Sequence, residues 1–467
     1  MLKLAGVLVV GLIAAALDTT MTNVALDRLG AELRASVSTV QWVGTGYLLA
    51  YAMVVPLVGW LTARFGTRRL WLASLTVFFA GSVLCGAAWN IGSLVAWRVV
   101  QGAGGGMMLV LLQTVLAQAA GPGKLGWVMS IAAMPAMLAP VFGPIVGGLI
   151  VSHLSWRWIF YVNVPTCVIG VVLAWRVLPA AERGPVSRLD VRGLLLLAPA
   201  LAAVIYGMSE AGSTGGFGSG RVLWPLAVGL LLLTLFTAHS LTTRHAPIID
   251  LRLLRVRSYG SGIAVTFIMG FGIFASMLVL PLYYQQAQDS SALAAGVLMA
   301  PQGAGFFLGL IGVGRLADVF SPRLLVLTGI VVTCAGTLAY TQVAQHPGGL
   351  LLGASLFIRG LGMSAATVPA IAAMYDGLDR AVIPEATSSQ RIFQQVGASF
   401  GTAVLAVVLQ WRIGAHPGHL LDAFGDTFWW TLALSGTAVI PALFLPSRRT
   451  RPPRGTPTLE LPANAAA

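Results

Sequence analysis

Apolar stretches of roughly 20 residues alternate along the chain with short polar or charged ones, the length a helix needs to cross a hydrocarbon core of about 30 Å. They fall at 4–26, 41–61, 70–89, 91–119, 126–150, 159–178, 193–209, 222–241, 259–284, 291–313, 323–343, 350–373, 389–411 and 426–446, fourteen in all. The first, LAGVLVVGLIAAALDTTMTNVAL, is interrupted by one carboxylate, Asp18. At 3.6 residues per turn Gly11, Ala14, Ala15, Asp18, Thr22 and Ala25 share a face, while Val9, Ile13 and Val24 lie opposite. That is a membrane helix with a small, polar packing side. A charge at the bilayer centre costs at least about 2.5 kcal/mol, so such an Asp faces the bundle interior or a water-filled cavity. Two readings stand for Asp18, a functional site or a group that only cements helix packing.

Composition agrees: 57% of residues are hydrophobic and 9% charged, with a mean hydropathy of +0.85. Soluble proteins carry about 25% charged residues, so the expected class is an all-α integral membrane protein with no room for a sizeable soluble domain. The net charge of +13 does not point to nucleic acid, because the arginines sit in short loops between apolar segments. With an even number of spans and most of the 28 basic residues in alternate loops, both termini are expected to be cytoplasmic in a multi-pass protein of the cell membrane. Trp89, Trp156, Trp158, Trp429 and Trp430 lie near segment ends, as an interfacial belt requires. Lys3 and the alanines at 14–16 mimic a signal peptide, but the apolar run continues to Leu26, which argues against cleavage. Cys85, Cys167 and Cys334 sit singly in apolar runs, with neither metal-ligand nor disulfide spacing.

An internal repeat gives the architecture. GWLTARFGTRRL from Gly59 and GRLADVFSPRLL from Gly314 match at Gly, Leu, Phe and Arg with an offset of 255 residues, and the same offset carries the first segment onto the ninth. The expected organisation is a six-helix bundle over 1–178, two inserted helices with linkers over 179–258, a second six-helix bundle over 259–446, and a disordered tail over 447–467. Parallel six-helix halves with a site at their interface are a layout of secondary transporters. The inserted pair is expected to stand outside the transport path.

The loop GWLTARFGTRRL resembles the signature loop of the major facilitator superfamily, G-x-L-A-D-R-x-G-R-[RK]. LDTTMTNVAL at Leu17, RVVQGAGGG at Arg98, APVFGPIVGG at Ala139 and SWRWIFYVNVP at Ser155 resemble the motifs of that superfamily's drug/proton antiporters, in its fourteen-spanner branch of multidrug exporters. The resemblance implies a major facilitator fold and proton-driven antibiotic efflux by alternating access. It implies a gating role for Gly59, Arg64, Gly66, Arg68, Gly314, Asp318 and Arg323, and an antiporter motif in Pro140, Gly143, Pro144, Gly147 and Gly148. The usual Asp of the loop is Ala63 here and one usual Arg is Thr67, which puts the first-half gate lock in doubt, whereas Asp318 keeps the carboxylate in the second half. The loop arginines also fit a plain anchoring role at the inner surface.

Arg98 lies about 10 Å deep from the outer side, and Asp18 about 21 Å up from the inner side, so the two are nearly level. Together they are the expected proton-coupling pair, with Arg98 alternatively satisfying only backbone carbonyls. Arg359 is the approximate second-half counterpart of Arg98, and Arg391 is close enough to the inner surface to snorkel. In the fifth segment, prolines at 135, 140 and 144 among glycines suit either a rocking helix or static packing. Candidates to line a substrate cavity are Thr22, Met107, Met108, Gln113, Phe267, Phe271, Phe274, Tyr283, Tyr284, Phe306, Phe307, Gln394 and Gln395, a set suited to lipophilic, neutral or singly charged compounds. No G-x-x-x-x-G-K-[ST] stretch occurs, no histidine has metal-binding spacing, and no cofactor is implied. The expected partners are a lipophilic small molecule, protons and the lipid bilayer, with a monomer as the functional unit. A metabolite or lipid exporter on the same fold is the near rival; a membrane-embedded enzyme would need convergent reactive groups beyond Asp18 and Arg98.

Overall fold

The computed structural model describes residues 2–119, 125–178, 189–214, 216–243, 247–316, 320–376, 378, 382–416 and 418–447. Its helices are α1 (Leu2–Glu32), α2 (Val37–Val54), α3 (Leu57–Phe65), α4 (Thr67–Gly86), α5 (Ile91–Ala119), α6 (Leu125–His153), α7 (Trp158–Tyr161), α8 (Asn163–Val177) and α9 (Val191–Thr214). They continue as α10 (Gly220–Thr242), α11 (Arg257–Leu282), α12 (Ala292–Leu316), α13 (Pro322–Leu338), α14 (Gly349–Tyr375), α15 (Ile383–Ala415), α16 (Leu420–Gly436) and α17 (Val439–Ala442).

Among the described residues eleven helices are long and apolar enough to cross a membrane, or twelve if α2 and α3 form one span bent by 58°. The expectation of fourteen transmembrane helices, and with it two full six-helix bundles plus two, is corrected to that number. The reasons are local. Segment 41–61 breaks at Pro56, which has no N–H to continue the ladder. Segment 426–446 is not one helix either: α16 ends at Gly436 after 17 residues and α17 holds only four. In α6 the side chains of 132–141 lie outside the described residues, and the helix is not among the eleven. The linker 179–188, Asp318 and the tail 448–467 also lie outside them.

The repeat seen in the sequence recurs as a packing pattern. In the first half α1 packs on α6, and α5 on α2 and α4; in the second α11 packs on α15, and α14 on α12 and α13. Small residues set these approaches. A Cβ at Gly81 would overlap the backbone of Gln101, and one at Gly336 the backbone of Arg359; Gly104 against Phe78 and Gly362 against Thr333 repeat the theme. The structural counterpart of Arg359 is therefore Gln101, not Arg98.

The halves also meet. A Cβ added at Gly314, at the end of α12, would lie 3.5 Å from Trp127 of α6, and one added at Gly59 of α3 would lie 3.2 Å from Glu385 at the start of α15. Both contacts are on the side carrying the two signature loops. Helix α9 is wedged between α2 and α15, whereas α10 packs chiefly on α9 and turns most of its surface outward.

The start of α9 is held by Asp190. Its carboxylate accepts hydrogen bonds from the Gly193 N–H (2.9 Å), the Ile248 N–H (3.2 Å) and His239 Nε2 (2.9 Å), joining α9, α10 and the strap that follows. Burial works to raise its pKa, but the bonds from Gly193, His239 and Ile248 outweigh it and hold the carboxyl below the ordinary carboxylate range. A group depressed on folding stabilises above its unfolded pKa, about 3.9, and that contribution is lost as pH falls through the lower folded value. Asp190→Ala is expected to cost about 1–2 kcal/mol in detergent unfolding near pH 7, with the difference from the parent shrinking on strong acidification.

Candidate functional site

The most polar buried region of the first half is built where α1, α4, α5 and α8 converge. Asp18, Ser82, Arg98, Gln101 and Asn163 are all essentially inaccessible there. Arg98 donates through Nη1 to Asp18 Oδ2 and to Gln101 Oε1 (2.7 Å), and through Nε to the Val43 carbonyl of α2 (3.1 Å). The other carboxylate oxygen, Oδ1, accepts from Gln101 Nε2 (2.9 Å) and Asn163 Nδ2 (2.8 Å), and Gln101 Nε2 also reaches Ser82 Oγ (2.8 Å). The Tyr47 ring stacks on the guanidinium, its centroid 4.3 Å from Arg98 Cζ. Every partner of Asp18 in this set is a donor, so the site is built for a charged carboxylate, and a proton arriving on Asp18 would set an O–H against one of them.

Close helix approach makes this geometry possible. Gly102 lets the α2 backbone at Tyr47 come so near that a Cβ would overlap the Tyr47 carbonyl, and Gly104 does the same for Phe78 of α4. One turn or less past Asp18 on α1, Thr20 stands against Gly143 of α6, where a side chain would collide, and Met21 stands against Gly147, where one would fit only tightly. Gly148 faces open space, and the side chains of Pro140 and Pro144 lie outside the described residues. Thr22 closes on its own helix, donating to the Asp18 carbonyl (2.7 Å).

The other singled-out residues divide. Gly66 turns α3 into α4 with φ of 82°, a left-handed conformation that favours glycine; Arg68 donates to the Trp175 carbonyl (2.5 Å), and Arg64 is exposed. Arg323 sits half-buried in the first turn of α13. Met108 is core, Phe271 is half-buried and Phe274 is exposed. Tyr284 is remote from Gln394 in packing: it bonds Tyr340 through the hydroxyls (2.7 Å) within an aromatic cluster of Tyr283, Phe424 and Phe428. Gln113 and Gln394 are brought together by Arg391, which donates Nε to Gln113 Oε1 and Nη1 to Gln394 Oε1, each 2.8 Å. Arg391 thus turns inward, across the boundary between the halves, and does not snorkel. Arg359 is buried with no carboxylate partner among the described residues, donating to Gln302 Oε1 (2.8 Å) and Ser276 Oγ.

Gln101, Asn163, Ser82 and Tyr47 were not singled out in the sequence, although Gln101 lies in RVVQGAGGG and Asn163 in SWRWIFYVNVP. Buried amides level with a buried charge were the available signal. Among the described residues no group of three or more His, Cys, Asp or Glu is placed to hold a metal ion.

A model of the Major Facilitator Superfamily matches residues 8–402. The chain is 38% identical over 414 residues to the Multidrug resistance protein B homolog of Mycobacterium tuberculosis (strain ATCC 25618 / H37Rv), spanning 88% of this chain and 77% of that protein. It is 31% identical over 396 residues to the Lincomycin resistance protein LmrB of Bacillus subtilis (strain 168), spanning 84% and 81%. The solved proton:xylose symporter XylE bound to 6-bromo-6-deoxy-D-glucose shares the fold, with a TM-score of 0.64 at 14% identity over 94% of this chain and 95% of that one. The human organic anion transporter MFSD10 (TETRAN) does so with a TM-score of 0.61 at 15% identity, over 93% and 99%. With an all-α, multi-pass membrane fold and these relatives, the chain belongs to the Major Facilitator Superfamily, in its multidrug-resistance-protein-B-like branch, as a transporter of small molecules.

Proposed function

We propose that the protein is a proton-coupled exporter of lipophilic small molecules, working by alternating access between its two halves. The observation that carries this reading is the buried Asp18–Arg98 pair with Gln101 and Asn163 around it. A carboxylate kept at such cost inside a membrane bundle is a functional site by default, and it is the one titratable acid of that cluster. Proton arrival at Asp18 changes what Arg98, Gln101 and Asn163 can bond, and through them the packing of α1, α4, α5 and α8; a two-state element biased in this way is what coupling requires. The drug-resistance names of the relatives support a lipophilic drug as cargo.

The proposed division is 1–178 and 259–446 as the moving halves, with 179–258 between them. The signature loops, through Gly59, Arg64, Gly66, Arg68, Gly314, Asp318 and Arg323, act as the cytoplasmic gate, and Gly143 and Gly147 let α6 move closely against α1. Both termini are placed in the cytoplasm on the strength of the arginine distribution. Ser187→Cys and Ser213→Cys, each in a chain lacking Cys85, Cys167 and Cys334, are expected to react with an impermeant thiol reagent from the inside and the outside respectively. Labelling of the 187 position from outside sealed cells would reverse the orientation. Function itself is tested in proteoliposomes: a lipophilic fluorescent dye should be concentrated when a pH gradient is imposed and not when the gradient is collapsed by an ionophore.

A further inference from the structure

On the signature-loop side the two halves meet at an acid. Glu385 is half-buried in the first turn of α15, ahead of the apolar stretch 389–411 and among the buried side chains of Ile383, Pro384 and Ala386. It packs on Gly59 of α3: a Cβ added there would lie 3.2 Å from Glu385 Cγ and 3.5 Å from its Cα. Gly59 belongs to the first half and Glu385 to the second, so parting of the halves on this side breaks the contact and returns the carboxyl to water.

Nothing among the described residues neutralises this acid: no lysine, arginine or histidine pairs with it. On α3 the face it meets carries Gly59 and, one turn on, Ala63, while the helix's one charged side chain, Arg64, is exposed in its last turn. The strap before α11 brings a second acid to act on it, Asp250, whose Oδ1 accepts from the Arg252 N–H (2.9 Å). From α11 comes Tyr259, which donates its hydroxyl to the Ala386 carbonyl (2.9 Å) and not to the acid. Asp379 and Arg380, just before α15, lie outside the described residues.

The consequence is thermodynamic. An ionised carboxylate gives up hydration and faces Asp250 when the halves close on it, whereas a protonated one gives up little. Once exposed again, a glutamate ionises at about pH 4.3. Closure and proton binding at Glu385 therefore favour each other, by the same factor in each direction. We infer that Glu385 is a proton-binding site, separate from Asp18, that keeps the signature-loop side shut when occupied and lets it open when empty. The gate thus responds to the pH of the solution on its own side. This rests on the alternating-access reading above, but concerns which state is populated and not what drives uphill transport.

The test is the distance between spin labels at Arg69→Cys on α4 and Phe320→Cys beside the second signature loop, both exposed positions, in purified protein lacking Cys85, Cys167 and Cys334. The ratio of shut to open populations should fall about tenfold between about pH 5.5 and about pH 8.5. Glu385→Gln is neutral at every pH, so it should keep the shut population high and reduce that change to less than about twofold. Glu385→Asp still titrates and should retain a pH response. Asp250→Asn keeps an acceptor for the Arg252 N–H but removes the neighbouring charge, so the midpoint should move to lower pH. A parent ratio indifferent to pH, a shut state that gains as pH rises, a change that persists undiminished in Glu385→Gln, or a midpoint unmoved by Asp250→Asn would each overturn the inference. Asp18→Asn should show the parent's pH response, so a failure of the coupling proposal leaves this result standing, and a flat response here leaves that proposal standing.

Discussion

Asp18→Asn protein in proteoliposomes is expected to lose pH-gradient-driven accumulation down to the level of empty vesicles, while downhill exchange of the same dye persists. Asp18 Oδ1 accepts from Gln101 and Asn163 and Oδ2 from Arg98, so all of these neighbours are donors. An asparagine offers one oxygen and one NH2 group, and its NH2 would meet a donor wherever it points unless a neighbouring amide turns over. It also cannot take a proton. Asp18→Glu keeps the titratable group and should retain part of the activity with an altered pH profile. Accumulation by well-folded Asp18→Asn protein at the parent rate would make the carboxylate structural, and the coupling group would have to be sought elsewhere.

Arg98→Ala is expected to give the largest loss of stability of any single change at this site, about 3–5 kcal/mol, because it strands the Asp18 charge in a dry interior. Arg98 also holds the Val43 carbonyl and the Tyr47 ring, so α2 should loosen from α5 as well. The informative comparison is the double variant Asp18→Asn/Arg98→Gln, which removes both charges and keeps hydrogen-bonding groups in place. It should unfold in detergent at a denaturant concentration nearer the parent's than either single variant does. Strict additivity of the two single effects would mean that the pair is not energetically coupled. Arg98→Lys should fall between, since one ammonium cannot serve Asp18, Gln101 and Val43 in the planar geometry of the fork.

The class of molecule was legible in the chain because a bilayer imposes a one-dimensional rule: a spanning helix needs its apolar residues consecutively, and positive residues sort to one side. The repeat at Gly59 and Gly314 was legible for a similar reason, since the turn after a span needs its glycine and arginines in sequence. The level of Asp18 with Arg98 followed from helix rise alone, and the structure pairs them. The number of spans did not follow, because hydropathy carries no mark of where a helix bends. The break at Pro56 and the stop at Gly436 divide stretches that read as continuous.

What the tertiary structure alone decided is which polar groups share a space. Gln101 and Asn163 are far from Asp18 in sequence, and only the packing of α1, α5 and α8 turns them into its partners. Arg391 showed the limit in the other direction: on depth alone it belonged at the inner surface, whereas Gln113, 278 residues earlier, draws it inward. Tyr284 and Gln394 were grouped as aromatic and polar candidates for one cavity, yet the first bonds Tyr340 in a separate cluster. The sequence by itself determined a helical membrane protein with two related halves and one deep carboxylate, because solvent and helix period act on every residue locally. The identity of that carboxylate's partners, the wedge of α9 between the halves and the inward turn of Arg391 depend on contacts between distant segments, which the chain specifies only once it is packed.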